Sequence, residues 1–231
     1  MCSYTMQHIG MDDWAVTGNG ASVTQVSTGK LHHPCFVDRQ HVGPILRFIA
    51  SSGKYKLNTY CGDMMYTTKE LLPWWLEDSD KQNQTLPKEQ WTRFTVCDSL
   101  EEMIEKSQDV CELIRLETGY ERTPMREEFV AYIDSVDEFL VTTSFDGLWD
   151  INHKQANKVR GVQYLAEKFG IAMDEVLAIG DDINDIQMIQ AAGIGVAMGN
   201  AQESVKQATE YHTDLCKEHG FAKALEKWVL K

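Results

Sequence analysis

Gly180-Asp181-Asp182-Ile183-Asn184-Asp185 crowds three carboxylates and an amide into five positions, directly after the apolar run Val176-Leu177-Ala178-Ile179. Carboxylates that close repel one another unless a positive charge sits among them. Two chemistries fit these residue types. One is a capped helix start, with Asn184 or Asp185 accepting from the first helical N–H groups. The other is a hard divalent cation such as Mg²⁺, which takes one or two carboxylates together with water and phosphate oxygens. A lone Asp would suffice for a cap, so several acids after a buried strand favour the cation. Gly180 is expected to let the backbone turn tightly at the strand end.

The elements around the cluster read clearly. Lys158 to Phe169 has Val159, Val162, Leu165 and Phe169 on one helical face and is closed by Gly170. Val176 to Ile179 and Ile194 to Met198 are short apolar strands, each followed by a helical pattern, Asn184 to Ala192 and Ala201 to Thr209. Phe221 to Leu230 closes the chain as a helix. Strand and helix in alternation imply a parallel sheet, and ligands of such sheets bind beyond the carboxyl ends of the strands. The acidic cluster stands at such an end.

The rest of the chain mixes strands and helices. Trp14 to Thr17 and Ser22 to Val26 read as strands, the latter entering a hairpin around Thr28-Gly29. Asp38 caps a helix through Ser51, and Tyr55 to Tyr60 is a strand. Leu71 to Leu76 reads as a short irregular helix, and Asp78 to Glu89 as a polar loop. Ser99 caps Leu100 to Ser107, Cys111 to Glu117 alternates as a strand, Pro124 opens a helix to Val136, and Phe139 to Thr143 is a strand.

Twenty-two basic residues against 35 acidic ones give a formal charge of −13 over 231 residues. That balance disfavours nucleic-acid binding. No apolar run is long enough to span a bilayer, and the first residues do not resemble a signal peptide. Six cysteines without C-x-x-C spacing suit a reduced, cytoplasmic setting. Adjacent His32-His33 would point to opposite faces of a strand, which argues against a shared metal. Two adjacent tryptophans, Trp74 and Trp75, cannot both face inward on a helix, whereas Trp149 is expected in the core.

Val176 through Ile189, followed by Ala192-Gly193-Ile194-Gly195-Val196-Ala197-Met198-Gly199-Asn200-Ala201, resembles the haloacid dehalogenase superfamily, and within it the Cof-type (subfamily IIB) phosphatases. The G-D-x-x-N-D run and the G-V-A-M-x-N-A segment carry the likeness. Ala156-Asn157-Lys158 resembles the family's lysine motif, and Asn19-Gly20-Ala21 its N-G-A segment. The resemblance implies an α/β fold, with a Rossmann-like core containing a parallel sheet and an inserted α+β cap. The core would comprise 1–29 and 151–231 and the cap 30–150, with Trp149-Asp150-Ile151 as the strand returning to the core. It further implies a Mg²⁺-dependent phosphatase acting on a small phosphorylated metabolite such as a sugar phosphate. Asp181 would ligate Mg²⁺, and Asn184 would bind the phosphoryl group. Asp185 would support the metal shell or orient Lys158, and Lys158 would balance phosphate charge. Asn19 and Gly20 would contribute to substrate binding.

Family members attack phosphorus with the first Asp of a D-x-D-G-T motif ahead of the N-G-A segment. Thirteen residues precede Trp14, and they contain Asp12 and Asp13 but no such motif. The core is therefore expected to be N-terminally truncated and its activity impaired. A truncated or misassigned reading frame is the favoured account. The others are a non-catalytic phosphate- or metal-binding relative, and a second copy or another chain that completes the sheet. Ser144-Phe145-Asp146-Gly147 mimics the motif with Ser in the first place, but a tight hairpin at Asp146-Gly147 is the plainer account. His153 and Lys154, near the return to the core, are further candidates for approaching substrate.

Overall fold

The structure is a computed structural model that describes residues 6, 10, 13–88, 91–117, 127–145 and 147–230. Asp12, Pro124 and Asp146, all invoked above, lie outside them. The chain forms an α/β fold of two compact units, Met1–Ala156 and Asn157–Lys231. That division differs from the expected 1–29/30–150/151–231 arrangement. The expected return strand is part of β9 (Leu148–His153), which pairs between β7 (Leu113–Glu117) and β8 (Phe139–Phe145) inside the first unit.

Two sheets build the first unit. β1 (Trp14–Thr17), β2 (Ser22–Gln25) and β3 (Lys30–His32) form an antiparallel sheet. The β2–β3 hairpin turns through Thr28-Gly29, where Gly29 adopts φ 69°. The second sheet has the order β6-β5-β4-β7-β9-β8, with β4 (Lys56–Cys61), β5 (Met64–Thr68) and β6 (Phe94–Cys97). Only β5 and β6 pair in parallel; the other neighbours are antiparallel.

Alternation explains the core. Leu57, Ile114, Leu116 and Ile151 are buried in one cluster with Ile45, Leu46 and Ile49 of α1 (Arg39–Ser51), Met103 and Ile104 of α3 (Leu100–Ser107), and Phe129 and Ile133 of α4 (Glu127–Val136). Residues of opposite parity make a polar row, Asn58 paired with Arg115 and Arg115 with Asp150. Arg115 grips the fully buried Asp150 through two bonds of 2.7 and 2.9 Å and reaches Tyr60 Oη at 2.9 Å. Between α1 and α3 lies α2 (Trp74–Asn83), a helix where a polar loop was expected. Pro73 starts it, and fully buried Leu76 anchors an otherwise polar helix to the unit. Trp74 is 45% exposed and Trp75 half-buried, as adjacency on a helix requires.

The second unit begins with α5 (Lys158–Phe169), capped by Asn157, whose side chain accepts from Arg160 N, and stopped by Gly170 at φ 66°. A parallel sheet follows in the order β10-β11-β12: β10 (Leu177–Gly180), β11 (Ile194–Ala197) and β12 (Tyr211–His212). The short helices α6 (Ile186–Ala191) and α7 (Glu203–Lys206) and the closing α8 (Gly220–Trp228) complete it. Ile189, Ala197, Met198, Ala201 and Val205 form its core, with Ile179 and Ile186 packed against them. The apolar face of α5 is covered only in part: Val159, Val162 and Leu165 are half-buried, and Phe169 is 51% exposed. Among the described residues no helix is long and apolar enough to cross a membrane.

Candidate active site at the tip of β10

β10 ends at Gly180, and the chain then bends through Asp181 and Asp182 into a single 3₁₀ turn, Ile183–Asp185, before α6. That turn carries Asp185 back beneath the strand end. A Cβ at Gly180 would lie 2.4 Å from Asp185 Cβ and 2.7 Å from Oδ2. The expectation of a tight glycine turn is thus corrected: Gly180 does not adopt a positive φ. Its missing side chain makes room for the Asp185 carboxylate.

Both Asp185 oxygens are engaged. Oδ2 accepts from the backbone N–H groups of Asp181 and Asp182 at 3.1 and 3.2 Å. Oδ1 accepts from Lys158 Nζ at 2.6 Å. Asp185 is 5% exposed. Lys158 is the first residue of α5, where a cation opposes the helix dipole. The buried carboxylate offsets that cost and sets the direction of the side chain. The same ammonium donates to Asn184 Oδ1 at 3.0 Å. Of the two roles expected of Asp185, orienting Lys158 is the one its bonds display.

Asp182, not Asn184 or Asp185, caps the turn, with Oδ1 accepting from Ile183 N at 2.7 Å and from Gln202 Nε2 at 2.6 Å. Asp181 is exposed at the tip, and its Oδ2 accepts from Asn200 Nδ2 at 2.8 Å. Asn200 is held in turn, its Oδ1 accepting from Cys216 N at 3.0 Å. Asn200 and Gln202 were not anticipated as site residues. Asn200 lies in the quoted G-V-A-M-x-N-A segment, which was the available signal; Gln202 had none.

Asn19 and Gly20 belong to the first unit and have a different setting. Asn19 adopts φ 56°, and its Nδ2 donates to Asp150 Oδ2 at 3.2 Å and to Asn152 Oδ1 at 3.4 Å. Asn152 Nδ2 donates to Gly18 O at 2.9 Å and to Glu112 O at 2.8 Å, which fastens this turn to the six-stranded sheet. His32 packs edge-on against Trp14, 4.9 Å between ring centres, and His33 follows it with a left-handed backbone.

A Mg²⁺ ion needs oxygen ligands, one or two of them commonly carboxylate. No group of three His, Cys, Asp or Glu side chains with metal-holding geometry occurs among the described residues. Asp185 is committed to Lys158 and the backbone, which leaves Asp181 as the exposed carboxylate. These residues fit an ion held by one protein carboxylate, water and phosphate; they do not fit an all-protein cage.

A family model described as haloacid dehalogenase-like hydrolase matches residues 1–225. The 5-amino-6-(5-phospho-D-ribitylamino)uracil phosphatase YcsE of Bacillus subtilis is 42% identical over 106 residues, 46% of this chain and 43% of the relative. Phosphatase YwpJ of the same organism is 26% identical over 227 residues, 93% of this chain and 79% of the relative. The chain therefore spans less than half the length of the first and about four fifths of the second. Among solved structures, a haloacid dehalogenase-like hydrolase from B. subtilis superposes with TM-score 0.77 at 24% identity, over 99% of this chain and 83% of that one. A sugar phosphatase of haloacid dehalogenase subclass IIB gives 0.74 at 20% identity, over 97% and 79%.

Proposed function

Since this chain belongs to the haloacid dehalogenase-like hydrolases, we propose that it is a Cof-type, Mg²⁺-dependent phosphatase for the phosphomonoester of a small metabolite, a sugar phosphate or a similar compound. The observation that carries this reading is Lys158, Asn184 and Asp185 gathered at the carboxyl end of a parallel strand beside exposed Asp181. The relatives named as phosphatases support the reaction class. A charge of −13 and, among the described residues, five cysteines outside disulfides support a cytoplasmic enzyme that does not take nucleic acid.

Asp181 would hold the metal, which when bound supplies charge neutralisation at the phosphate. Lys158 carries three N–H donors, and Asp185 and Asn184 take two, leaving the third for a phosphoryl oxygen. The Lys158 bond fixes Asn184 Oδ1 as an acceptor, which orients Nδ2 as a donor. Asn200 steadies Asp181, and Asp185 holds Lys158 at a fixed height. The sequence contains no D-x-D-G run, so attack on phosphorus is assigned to no residue of this chain.

The test combines Mg²⁺-dependent binding of inorganic phosphate, by calorimetry, with hydrolysis of p-nitrophenyl phosphate. Asp181→Ala is expected to abolish the Mg²⁺ dependence of binding and to lower any turnover on the order of a hundredfold. Phosphate affinity that ignores both Mg²⁺ and Asp181 would overturn the site. Mg²⁺-dependent binding with no hydrolysis would retain the site and overturn the phosphatase reading.

A further inference from the structure

The first unit contains a second cluster of reactive side chains that the phosphate site does not use. Cys35 lies in the loop between β3 and α1, pinned on both sides by Cys35 N donating to Ala21 O and Val37 N to Cys111 O. Its Sγ is 3.2 Å from His153 Nδ1. His153 ends β9, and its Nε2 is 3.5 Å from Glu138 Oε2, just ahead of β8. The strand register fixes this proximity, because Phe139 pairs with His153.

The hydrogen bonds assign the tautomer. Gln155 N–H donates to His153 Nδ1 at 3.1 Å, so that nitrogen is an acceptor and the ring proton sits on Nε2, toward Glu138. The Cys35 S–H then donates to Nδ1. The order is thiol, imidazole, carboxylate: a nucleophile beside a base, with a carboxylate 3.5 Å beyond the base. Lys154 lies 3.4 Å from Glu138 and 3.6 Å from Asp137, so the carboxylate that faces the imidazole also faces a cation, and His41 of α1 packs on Phe139, the strand partner of His153. Cys35 is half-buried and in no disulfide.

We propose that Cys35, His153 and Glu138 form a reactive-thiol site that takes small-molecule disulfides by thiol–disulfide exchange. Cys35 passes its proton to His153 Nδ1, which gives up the bond from Gln155 N–H as it takes the proton, and the thiolate attacks one sulfur of the disulfide. A new S–S bond forms to Cys35 as the original one breaks. The departing thiolate takes the proton back from the imidazolium, so no further oxidant or reductant is needed. The product is a mixed disulfide on the loop that joins the two sheets of this unit.

The chain supplies its own control in Cys216, an exposed thiol in the second unit. The full chain is treated with oxidised glutathione, and the adducts are mapped and timed by mass spectrometry across a pH series. Cys35 is expected to react on the order of tenfold faster than Cys216 at mildly acidic pH, despite its lower exposure. The advantage should shrink toward alkaline pH, where ordinary thiols ionise. His153→Asn should erase the advantage and its pH profile, and Glu138→Gln should reduce both. Cys216 outpacing Cys35 throughout would overturn the proposal, and that comparison needs no variant. A His153→Asn chain with the parental rate and profile would overturn it equally.

Discussion

Asp185 uses each of its oxygens for a different task, one tying Lys158 and the other tying the strand end to the turn. Replacing Lys158 by Met would leave the carboxylate buried without its cation. That change is expected to cost roughly 3 kcal/mol in denaturant unfolding and to remove phosphate binding. Gly180→Ala tests the same spot from the other side. Its Cβ would overlap Asp185 at 2.4 Å, so a loss of about 1–3 kcal/mol is expected, with weakened phosphate affinity. A Gly180→Ala chain with unchanged stability would mean that Asp185 has another place to go. At this scale Asn184 and Asp185 stood out because a charged run after an apolar strand has few ordinary explanations, whereas Lys158, an ordinary surface lysine when read alone, stood out only through the resemblance. Gln202 did not, because an amide that steadies a carboxylate across a loop leaves no periodicity and no charge, and Asn200 was marked only by its place in the G-V-A-M-x-N-A segment. Gly180 was legible as necessary but not in its reason, since spacing along a chain does not reveal which side chain folds back over it.

Glu112 stands just ahead of β7 and faces Ser22 of β2, whose hydroxyl donates to it at 3.1 Å. It therefore joins the two sheets of the first unit. Burial raises its pKa to about 7 from an ordinary 4.5, against the opposing hydrogen bonds from Ser22 and the Gly62 N–H. A raised acid binds its proton more tightly in the folded chain than in the unfolded one. Its contribution is thus complete below about pH 4.5 and disappears as pH rises through about 7, a span worth roughly 3 kcal/mol. Thermal or denaturant unfolding of the parent should show this component, and Glu112→Gln should flatten it. A slope unchanged in Glu112→Gln would assign the pH dependence elsewhere. Elements with strong patterns matched their sequence signals: α5 spans the expected 158–169, and Ser99 caps α3 by accepting from Glu102 N. Those without a pattern did not. α2 is polar apart from one buried leucine, and β12 is two residues long and earns its pairing only from β11.

The chain as a whole divides after Ala156, where the sequence had suggested a return to the core near 151. The local signal for a strand at 149–151 was sound; its partners, β7 and β8, could not be read from it. Pairing is a long-range choice, and an alternating strand is equally content in either sheet. Division into units implies that damage in one stays local. Gly195 packs so closely that a Cβ would lie 2.0 Å from Ile189 O. Gly195→Ala should therefore accelerate amide exchange across 157–230 while leaving protected amides of β4 and β7 unaffected. Loss of protection spread evenly through both units would contradict that independence.

The main-chain amides of Asp181 and Asp182 already have an anion, supplied from within by Asp185. Many phosphate loops spend such amides on the ligand, forming a backbone nest that tolerates little change in shape. Here the nest carries a resident carboxylate, so under the proposed function an incoming oxyanion is left to side chains. On the proposed reading, substitutions at the exposed side chains of this loop, which do not touch Asp185, would tune phosphate affinity without reshaping its backbone.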